Sequence, residues 1–269
     1  MKNKYLGYSE QDLAESPYAP FFNSEIAPFQ THVTEAMLAG GQAHELMYGV
    51  ERAAEMNDEG YWPIENGFAR TPDGGIRVFC LTEMPNVTPA MWDWWFAWHG
   101  SEPLRYKLWH PKAHVHVGWK DNRSDLSHYV GRTSHIVEYL GSERLSGAIN
   151  FVAPASLGLD ETKLRDRGEV AVCARISFPN TPVKLGWLMH HLRPVPGGSE
   201  MRSRMWMGGA NVALGDRPGP IARGLGVVVA QLARMQLPNP AELLAHNAQE
   251  MAHLAGFLPE LYETFSASD

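Results

Sequence analysis

The chain has 269 residues, of which 44% are hydrophobic, and it carries a formal net charge of −7. This composition supports a packed globular core, and the acidic balance argues against a nucleic-acid-binding surface. Only two cysteines, Cys80 and Cys173, accompany 12 histidines, which excludes a disulfide framework and a thiolate zinc site. Any metal is therefore expected to have nitrogen and oxygen ligands.

The N-terminus is polar and lacks the apolar core of a signal peptide. The most apolar run, residues 224–233, is shorter than the roughly 18 residues that a membrane helix needs. Together with free cysteines, these features predict a cytoplasmic protein without a membrane span. The length suits one large domain or a domain with an appendage.

The first 60 residues are predicted to form a mainly helical extension ahead of one domain, residues 61–269. Apolar residues recur at helical spacing from Thr34 to Ala54. From residue 60 to about residue 82, Gly, Pro and Asp separate short apolar runs, which is typical of strands and turns. Thr88 and Pro89 then predict the start of a short tryptophan-rich helix.

The middle of the chain, residues 106–214, is expected to be mostly strands because apolar residues alternate there. A PVPGG turn between the last two strands predicts a β-hairpin. Two helices are predicted after the sheet, over residues 220–237 and 240–265. An antiparallel sheet with helices on one side is the α+β class, and a curved sheet around a long helix encloses a cavity for a small molecule.

The last helix carries the sharpest chemical signal, since His246, Glu250 and His253 share one helix face. Imidazole and carboxylate at i and i+4 can bind one divalent ion. A solvated helix face is the alternative. Against it, small and apolar residues surround the pair, and no Lys or Arg follows Arg234 to neutralise Glu250.

Two strands add further candidates. On a regular strand, His114 and His116 would point the same way, although a buried core histidine is the alternative; His110 lies just before them. Glu138 shares a strand face with Ile136, and an acidic residue in an apolar strand needs a partner or a function. Two His and two Glu from these strands and the last helix would suit a catalytic zinc.

The predicted hairpin contains His190 and His191, of which one must face inward in either register. Trp95 lies in an aromatic run that could contact a flat apolar substrate. Core packing is the alternative for this run.

The same segments resemble those of the 2,4-diacetylphloroglucinol and phloretin hydrolases. They are spread over most of residues 60–260, in the order found in that family: TEMPNVTPAMWDWWFAWHG (82–100), RYKLWHPKAH (105–114), YVGRTSHIVEYLG (129–141), SRMWMGG (203–209) and HNAQEM (246–251). The resemblance implies a Bet v 1-like, helix-grip fold for residues 61–269. It also implies hydrolysis of the carbon–carbon bond between a phenolic ring and an acyl group, with an aromatic small molecule as the substrate.

The resemblance further implies a divalent metal, usually zinc, held by two His and two Glu. Carried over to this sequence, the helix pair corresponds to His246 and Glu250, and the strand carboxylate to Glu138. The first histidine corresponds to His114 better than to His110, which stays the alternative.

The resemblance also assigns a substrate contact to Tyr106. The chain departs from the family where an Asn is expected near the first histidine and Val117 stands, and where a second substrate Tyr is expected and Met205 stands. These departures leave the metal chemistry intact and indicate another substrate of the same kind, such as a less hydroxylated or bulkier aromatic ketone.

The expected mechanism is attack of metal-activated water on the acyl carbonyl, with Glu138, His190 or His191 moving the proton to the ring carbon. A helix-grip protein that only binds an aromatic ligand is the alternative from another class. A metalloenzyme with the same four ligands and another reaction, such as a hydratase or cyclase, is the third. The oligomeric state is left open, with a homodimer among the options.

Overall fold

The computed structural model describes residues 5–125, 128–215 and 237–268. The helix predicted over residues 220–237 lies almost entirely outside these ranges. The described helices are α1 (Glu10–Glu15), α2 (Thr31–Ala39), α3 (Pro89–His99), α4 (Pro103–Trp109), α5 (Glu161–Asp166), α6 (Pro240–Ala255) and α7 (Leu258–Phe265). The described strands are β1 (Gly67–Arg70), β2 (Ile76–Pro85), β3 (His114–Trp119), β4 (Thr133–Leu140), β5 (Glu143–Val152), β6 (Val170–Ser177), β7 (Val183–Val195), β8 (Gly198–Met207) and β9 (Ala213–Leu214).

One antiparallel sheet contains all nine described strands, in the order β1-β2-β8-β7-β6-β5-β4-β3, with β9 paired to β7. The predicted hairpin is confirmed, because β7 and β8 pair along their length up to Val195 and Gly198. Helix α6 lies against β1, β2 and β4 and against α4. The predicted α+β, helix-grip architecture is therefore confirmed.

Helix α3 begins as predicted. The Thr88 hydroxyl accepts a hydrogen bond from the Met91 amide at 3.3 Å, and Pro89 occupies the first turn, where its missing N–H costs nothing. The helix buries Trp92, Trp95 and Trp98 completely or almost so. The aromatic run of the sequence thus anchors α3 to the sheet.

Two helix predictions and one strand prediction need correction. The helix predicted from Thr34 to Ala54 ends at residue 39, because Gly40 adopts a positive φ of 75° and short 3-10 turns follow. The long C-terminal helix is divided at Gly256 into α6 and α7. Residues 103–109, whose last residues were assigned to the strand region, form α4 because Pro103 starts a helix and not a strand.

Strand β3 also differs from the regular strand that its alternation predicts. A register shift between His114 and His116 marks a β-bulge, so His114 is fully buried and His116 is exposed. The expectation that these two histidines point the same way is wrong. A bulge adds one residue to one strand and turns the following side chains to the other face.

Two groups of buried side chains flank α6. The aromatic cluster joins α3 and α4 to the sheet, and the aliphatic cluster joins the start of α6 to β2 and β8. Members of the aromatic cluster include Trp92, Trp95, Phe96, Trp98, Tyr106, Trp109, Val117, Trp119, Tyr129 and Phe151. Members of the aliphatic cluster include Ile76, Val78, Leu140, Met205, Met207, Leu243 and Leu244, with Leu145 and Ile176 packed against it.

The N-terminal residues contribute to the same core. Tyr8 and Tyr18 belong to the aromatic cluster, and the Tyr8 hydroxyl donates to the Leu104 carbonyl at 2.8 Å. The division of the chain at residue 60 stays a prediction. Within the described ranges, no helix combines the length and the apolar character needed to cross a bilayer.

Candidate active site

Four ionisable side chains converge between α6 and the far edge of the sheet. Nε2 of His114 lies 3.7 Å from Oε2 of Glu138 and 3.5 Å from Oε2 of Glu250. Nε2 of His246 lies 3.9 Å and 3.6 Å from the same two oxygens. Single donor atoms of His114, Glu138 and His246 all lie within 4.8 Å of one another, which is close enough to share one metal ion. We call these four residues the His/Glu centre.

The local structure explains this convergence. His114 is paired directly with Glu138 across β3 and β4, and the bulge turns its ring inward. His246 and Glu250 are one helical turn apart on α6. The sequence therefore supplies the centre with two donors by strand pairing and two by helical periodicity.

Hydrogen bonds around the centre orient its donors. Nδ1 of His114 lies 2.9 Å from the Tyr106 carbonyl, which only accepts, so Nδ1 holds the proton and Nε2 presents its lone pair to the carboxylates. The Tyr106 hydroxyl donates to Oε2 of Glu138 at 2.6 Å. The Asn247 amide donates to Oε1 of Glu250 at 3.0 Å. Such partners fix the tautomer and orientation of metal ligands.

The donor set fits a divalent metal. Nε2 of His114 is buried without a hydrogen-bond partner among the residues that the structure describes. Burial, with a smaller contribution from the neighbouring Glu138 carboxylate, raises the pKa of Glu250 to about 7 against the attraction of His246. Two carboxylates so close together need a cation, and two imidazole nitrogens with two carboxylate oxygens are ligands that zinc accepts.

A cavity of about 170 Å³ adjoins the centre. Glu138, His246 and Glu250 line it. One wall comes from the aromatic cluster, with Phe96, Tyr106, Trp109 and Phe151, and another from the aliphatic side, with Leu140, Leu145, Ile176, Met205 and Met207. A protein cavity of about 150 Å³ holds benzene, so this cavity has room for one aromatic ring.

The two hairpin histidines lie on opposite faces of the sheet. His190 lines the cavity, its Nδ1 lies 2.8 Å from Oγ of Ser203, and burial lowers its pKa to about 3, so the ring is neutral at pH 7. Nε2 of His191 instead lies 2.9 Å from Oε2 of Glu169, away from the cavity lining. Its burial lowers the pKa of His191 against the effect of the Glu169 carboxylate.

The other residues that the sequence proposed for the site also differ in whether they line the cavity. Met205 lines the cavity, whereas Val117 and Trp95 are buried in the aromatic cluster and do not. The His110 ring stacks on that of His246, with 4.8 Å between centroids, and His110 is not among the three residues whose donor atoms all lie within 4.8 Å of one another. Burial lowers the pKa of His110, with the nearby histidines adding to the effect.

The cavity residues that were not singled out from the sequence include the polar residues His99 and Ser134. His99, at the end of α3, lines the cavity while its Nδ1 lies 2.8 Å from the Trp95 carbonyl, and burial lowers its pKa to about 3. Ser134 lines the cavity from β4. The period-two alternation that places Glu138 inward could have found Ser134, because the two are four residues apart on one strand.

A family model described as "DAPG hydrolase PhiG domain" matches residues 47–263, which is most of the chain. The chain belongs to this family. The match confirms the resemblance seen in the sequence motifs, and it confirms the prediction that the chain is an enzyme.

Members of the DAPG hydrolase family are similar along nearly the whole chain. A 2,4-diacetylphloroglucinol hydrolase of a Pseudomonas species is 31% identical, over 94% of this chain and 90% of that protein. A phloretin hydrolase of Eubacterium ramulus is also 31% identical, over 97% of this chain and 90% of that protein. Among solved structures, the match to human STARD10 spans 80% of this chain and 81% of the STARD10 chain, at 8% sequence identity and a TM-score of 0.39.

Proposed function

We propose that this chain is a metal-dependent hydrolase that cleaves the carbon–carbon bond between a phenolic ring and an acyl group. Water would add across the bond, releasing a carboxylic acid and the ring with a hydrogen in place of the acyl group. The observation that carries the proposal is the His/Glu centre beside a cavity for one ring. The names of the two hydrolase relatives support the substrate class.

His114, Glu138, His246 and Glu250 are the proposed ligands of a divalent metal, with zinc as the expected ion. When bound, such an ion polarises a carbonyl oxygen and lowers the pKa of water. Tyr106 holds Glu138 through its hydroxyl, and its backbone carbonyl holds the His114 ring. The chain thus fixes its own donors before substrate arrives.

The cavity walls orient the substrate and limit water. Aromatic side chains of α3 and α4 stack well on a flat ring. Restricting water matters because charges at the centre interact more strongly in a dry site.

The leaving ring carbon needs a proton, and His190 is the proposed carrier. It is the hairpin histidine that faces the cavity, and its neutral ring can accept a proton at one nitrogen and release one. Glu138, the second candidate, is engaged by Tyr106 and by the two histidines of the centre. His191 is not part of the proposed mechanism, because it lies away from the cavity.

A binding protein without turnover is the competing function, favoured by the mostly apolar cavity lining. A ligand pocket alone does not account for two buried carboxylates that face two imidazoles.

Both buried cysteines are free, which fits a reducing compartment, and we propose that the protein is cytoplasmic.

The test is turnover of 2,4-diacetylphloroglucinol and phloretin, with the released acid and phenol detected by mass. We expect cleavage by the wild type in the presence of zinc and a loss of at least a hundredfold in H246A and E250Q. The matched control is H253A, which removes a buried histidine from the same helix, outside the cavity lining. Ligand binding without any product, or full activity in H246A, would contradict the proposal.

A further inference from the structure

Ser134 has a buried hydroxyl that the fold does not use. The residue is 3% exposed, and its Oγ has no hydrogen-bond partner among the residues that the structure describes. It lines the same cavity as the His/Glu centre. An unpaired buried hydroxyl costs about 1–3 kcal/mol, so its presence calls for a partner.

Two other hydroxyl side chains, those of Ser177 and Thr133, have hydrogen-bond partners within the fold, unlike that of Ser134. Oγ of Ser177, also in the cavity lining, lies 2.8 Å from the Asn150 amide nitrogen. The Thr133 hydroxyl donates to the Asn150 side-chain carbonyl at 3.2 Å. Ser134 therefore combines a place in the cavity lining with a hydroxyl that has no hydrogen-bond partner among the described residues.

The position of Ser134 indicates which part of a substrate it contacts. It is four residues before Glu138 on β4, on the same strand face, which corresponds to about 13 Å at about 3.3 Å per residue. Its strand partners are Trp119 on β3 and Ile149 on β5, beside the aromatic cluster. A ring with its acyl carbonyl at the centre would point its opposite end towards Ser134.

We propose that Ser134 Oγ hydrogen-bonds a ring hydroxyl para to the acyl group, and so selects aryl ketones that carry this hydroxyl. The para position is the ring position farthest from the acyl carbon, so a hydroxyl there reaches closest to Ser134. The apolar residues Ile136, Ile149 and Phe151 also line this part of the cavity, and the Ser177 hydroxyl in the same lining is already bonded to Asn150. A para hydroxyl without Ser134 would thus lose its water and gain no partner. This inference rests on the proposed function and names its substrate class more closely.

The experiment compares two ketones with the same acyl group, phloretin and its analogue that lacks only the hydroxyl para to the carbonyl. Each is assayed with the wild type and with S134A. We expect S134A to lower kcat/KM about fivefold for phloretin, the factor of one neutral hydrogen bond, and to leave the analogue within a factor of two. The ratio of the two losses in kcat/KM is independent of the intrinsic reactivity of each ketone, because that reactivity is the same in the wild type and in S134A.

Two further variants separate substrate contact from structure. S134T keeps the hydroxyl and is expected to restore most of the preference for phloretin. S177A removes a hydroxyl that bonds within the fold, and it is expected to change both substrates by the same factor. S134A should unfold at the same denaturant concentration as the wild type or a higher one, because it removes an unpaired buried group.

If S134A lowers kcat/KM by the same factor for both ketones, the role of Ser134 is contradicted, whereas the proposed hydrolase function is not. If neither ketone is cleaved, the proposed function fails, and the Kd values of the same pair, measured by calorimetry, still test Ser134. A selective loss of phloretin binding in S134A then supports the contact. Equal Kd values for the pair, or no binding of either, overturns it.

Discussion

Tyr106 shows how one residue can support the His/Glu centre without binding the metal. Its hydroxyl donates to Glu138, its carbonyl faces Nδ1 of His114, and its ring stacks on the His114 ring with 3.7 Å between centroids. Burial and the neighbouring Glu138 carboxylate raise the pKa of the Tyr106 hydroxyl, which keeps it a donor at any working pH. The sequence resemblance assigned Tyr106 to the substrate, whereas its contacts also orient two proposed ligands.

Y106F should weaken zinc binding by about 10- to 100-fold, the usual effect of losing a hydrogen bond to a metal ligand. The measurement is calorimetric titration of chelator-treated protein with zinc. Y129F is the matched control, because Tyr129 is equally buried and donates to Asp93 at 2.6 Å, away from the centre. Equal zinc affinity in Y106F and the wild type would show that the hydroxyl does not support the centre.

His190 predicts a pH dependence of stability. Burial holds its pKa at about 3 in the folded protein, below the value of about 6.5 for an unfolded chain. Below about pH 6.5 the unfolded chain therefore binds a proton that the folded chain does not, so this group lowers stability as the pH falls. Above that pH its contribution is constant.

The free energy of unfolding of the wild type should fall more steeply than that of H190Q between about pH 6 and about pH 4. The expected difference in slope is up to about 1.4 kcal/mol per pH unit, the value for one proton. Urea unfolding at several pH values measures it. Parallel curves would mean that His190 is exposed to solvent in the folded state.

At the scale of elements, the β7–β8 hairpin depends on the absence of a side chain at Gly186. A Cβ there would overlap the Trp206 carbonyl and lie 2.7 Å from Cα of Met207 on the paired strand. Backbone atoms cannot give way without separating the two strands. Gly147 on β5 is different, since its Cβ would lie 3.4 Å from Cγ1 of Ile136.

G186A should lower the free energy of unfolding by about 1–3 kcal/mol, the usual cost of overpacking, whereas G147A should change it by less than about 1 kcal/mol. Chemical denaturation of both variants against the wild type gives the comparison. A stable G186A would show that β7 and β8 can shift apart at low cost.

Helices and strands with a regular apolar pattern or a clear cap were predictable from the sequence. The irregularity within β3 was not. Alternation placed β4 and the hairpin correctly, and the cap at Thr88 placed the start of α3. The bulge in β3 was not predictable, because its sequence alternates like a regular strand and the extra residue is fixed by pairing with β4. Sequence alone could not decide between His110 and His114, because only the folded chain shows that His114 pairs with Glu138 across β3 and β4.

For the whole molecule, the family motifs and the composition together predicted a helix-grip fold with a nitrogen and oxygen metal centre. The fold is as predicted, and the four proposed ligands lie together. Side-chain hydrogen bonds were beyond the sequence: the unpaired Ser134 hydroxyl and the roles of Tyr106 depend on three-dimensional neighbours. The N-terminal residues, predicted as an extension, add two tyrosines to the aromatic cluster.

The most direct test of the account is the metal content of the purified protein, measured by elemental analysis beside the turnover of an acylphenol. We expect close to one divalent ion per chain in the wild type and in H253A. In folded H246A and E250Q, metal content and turnover should be lost together and in proportion. Wild-type protein that cleaves the substrate after complete removal of metal, or variants that retain a full complement of metal, would contradict the assignment of the His/Glu centre.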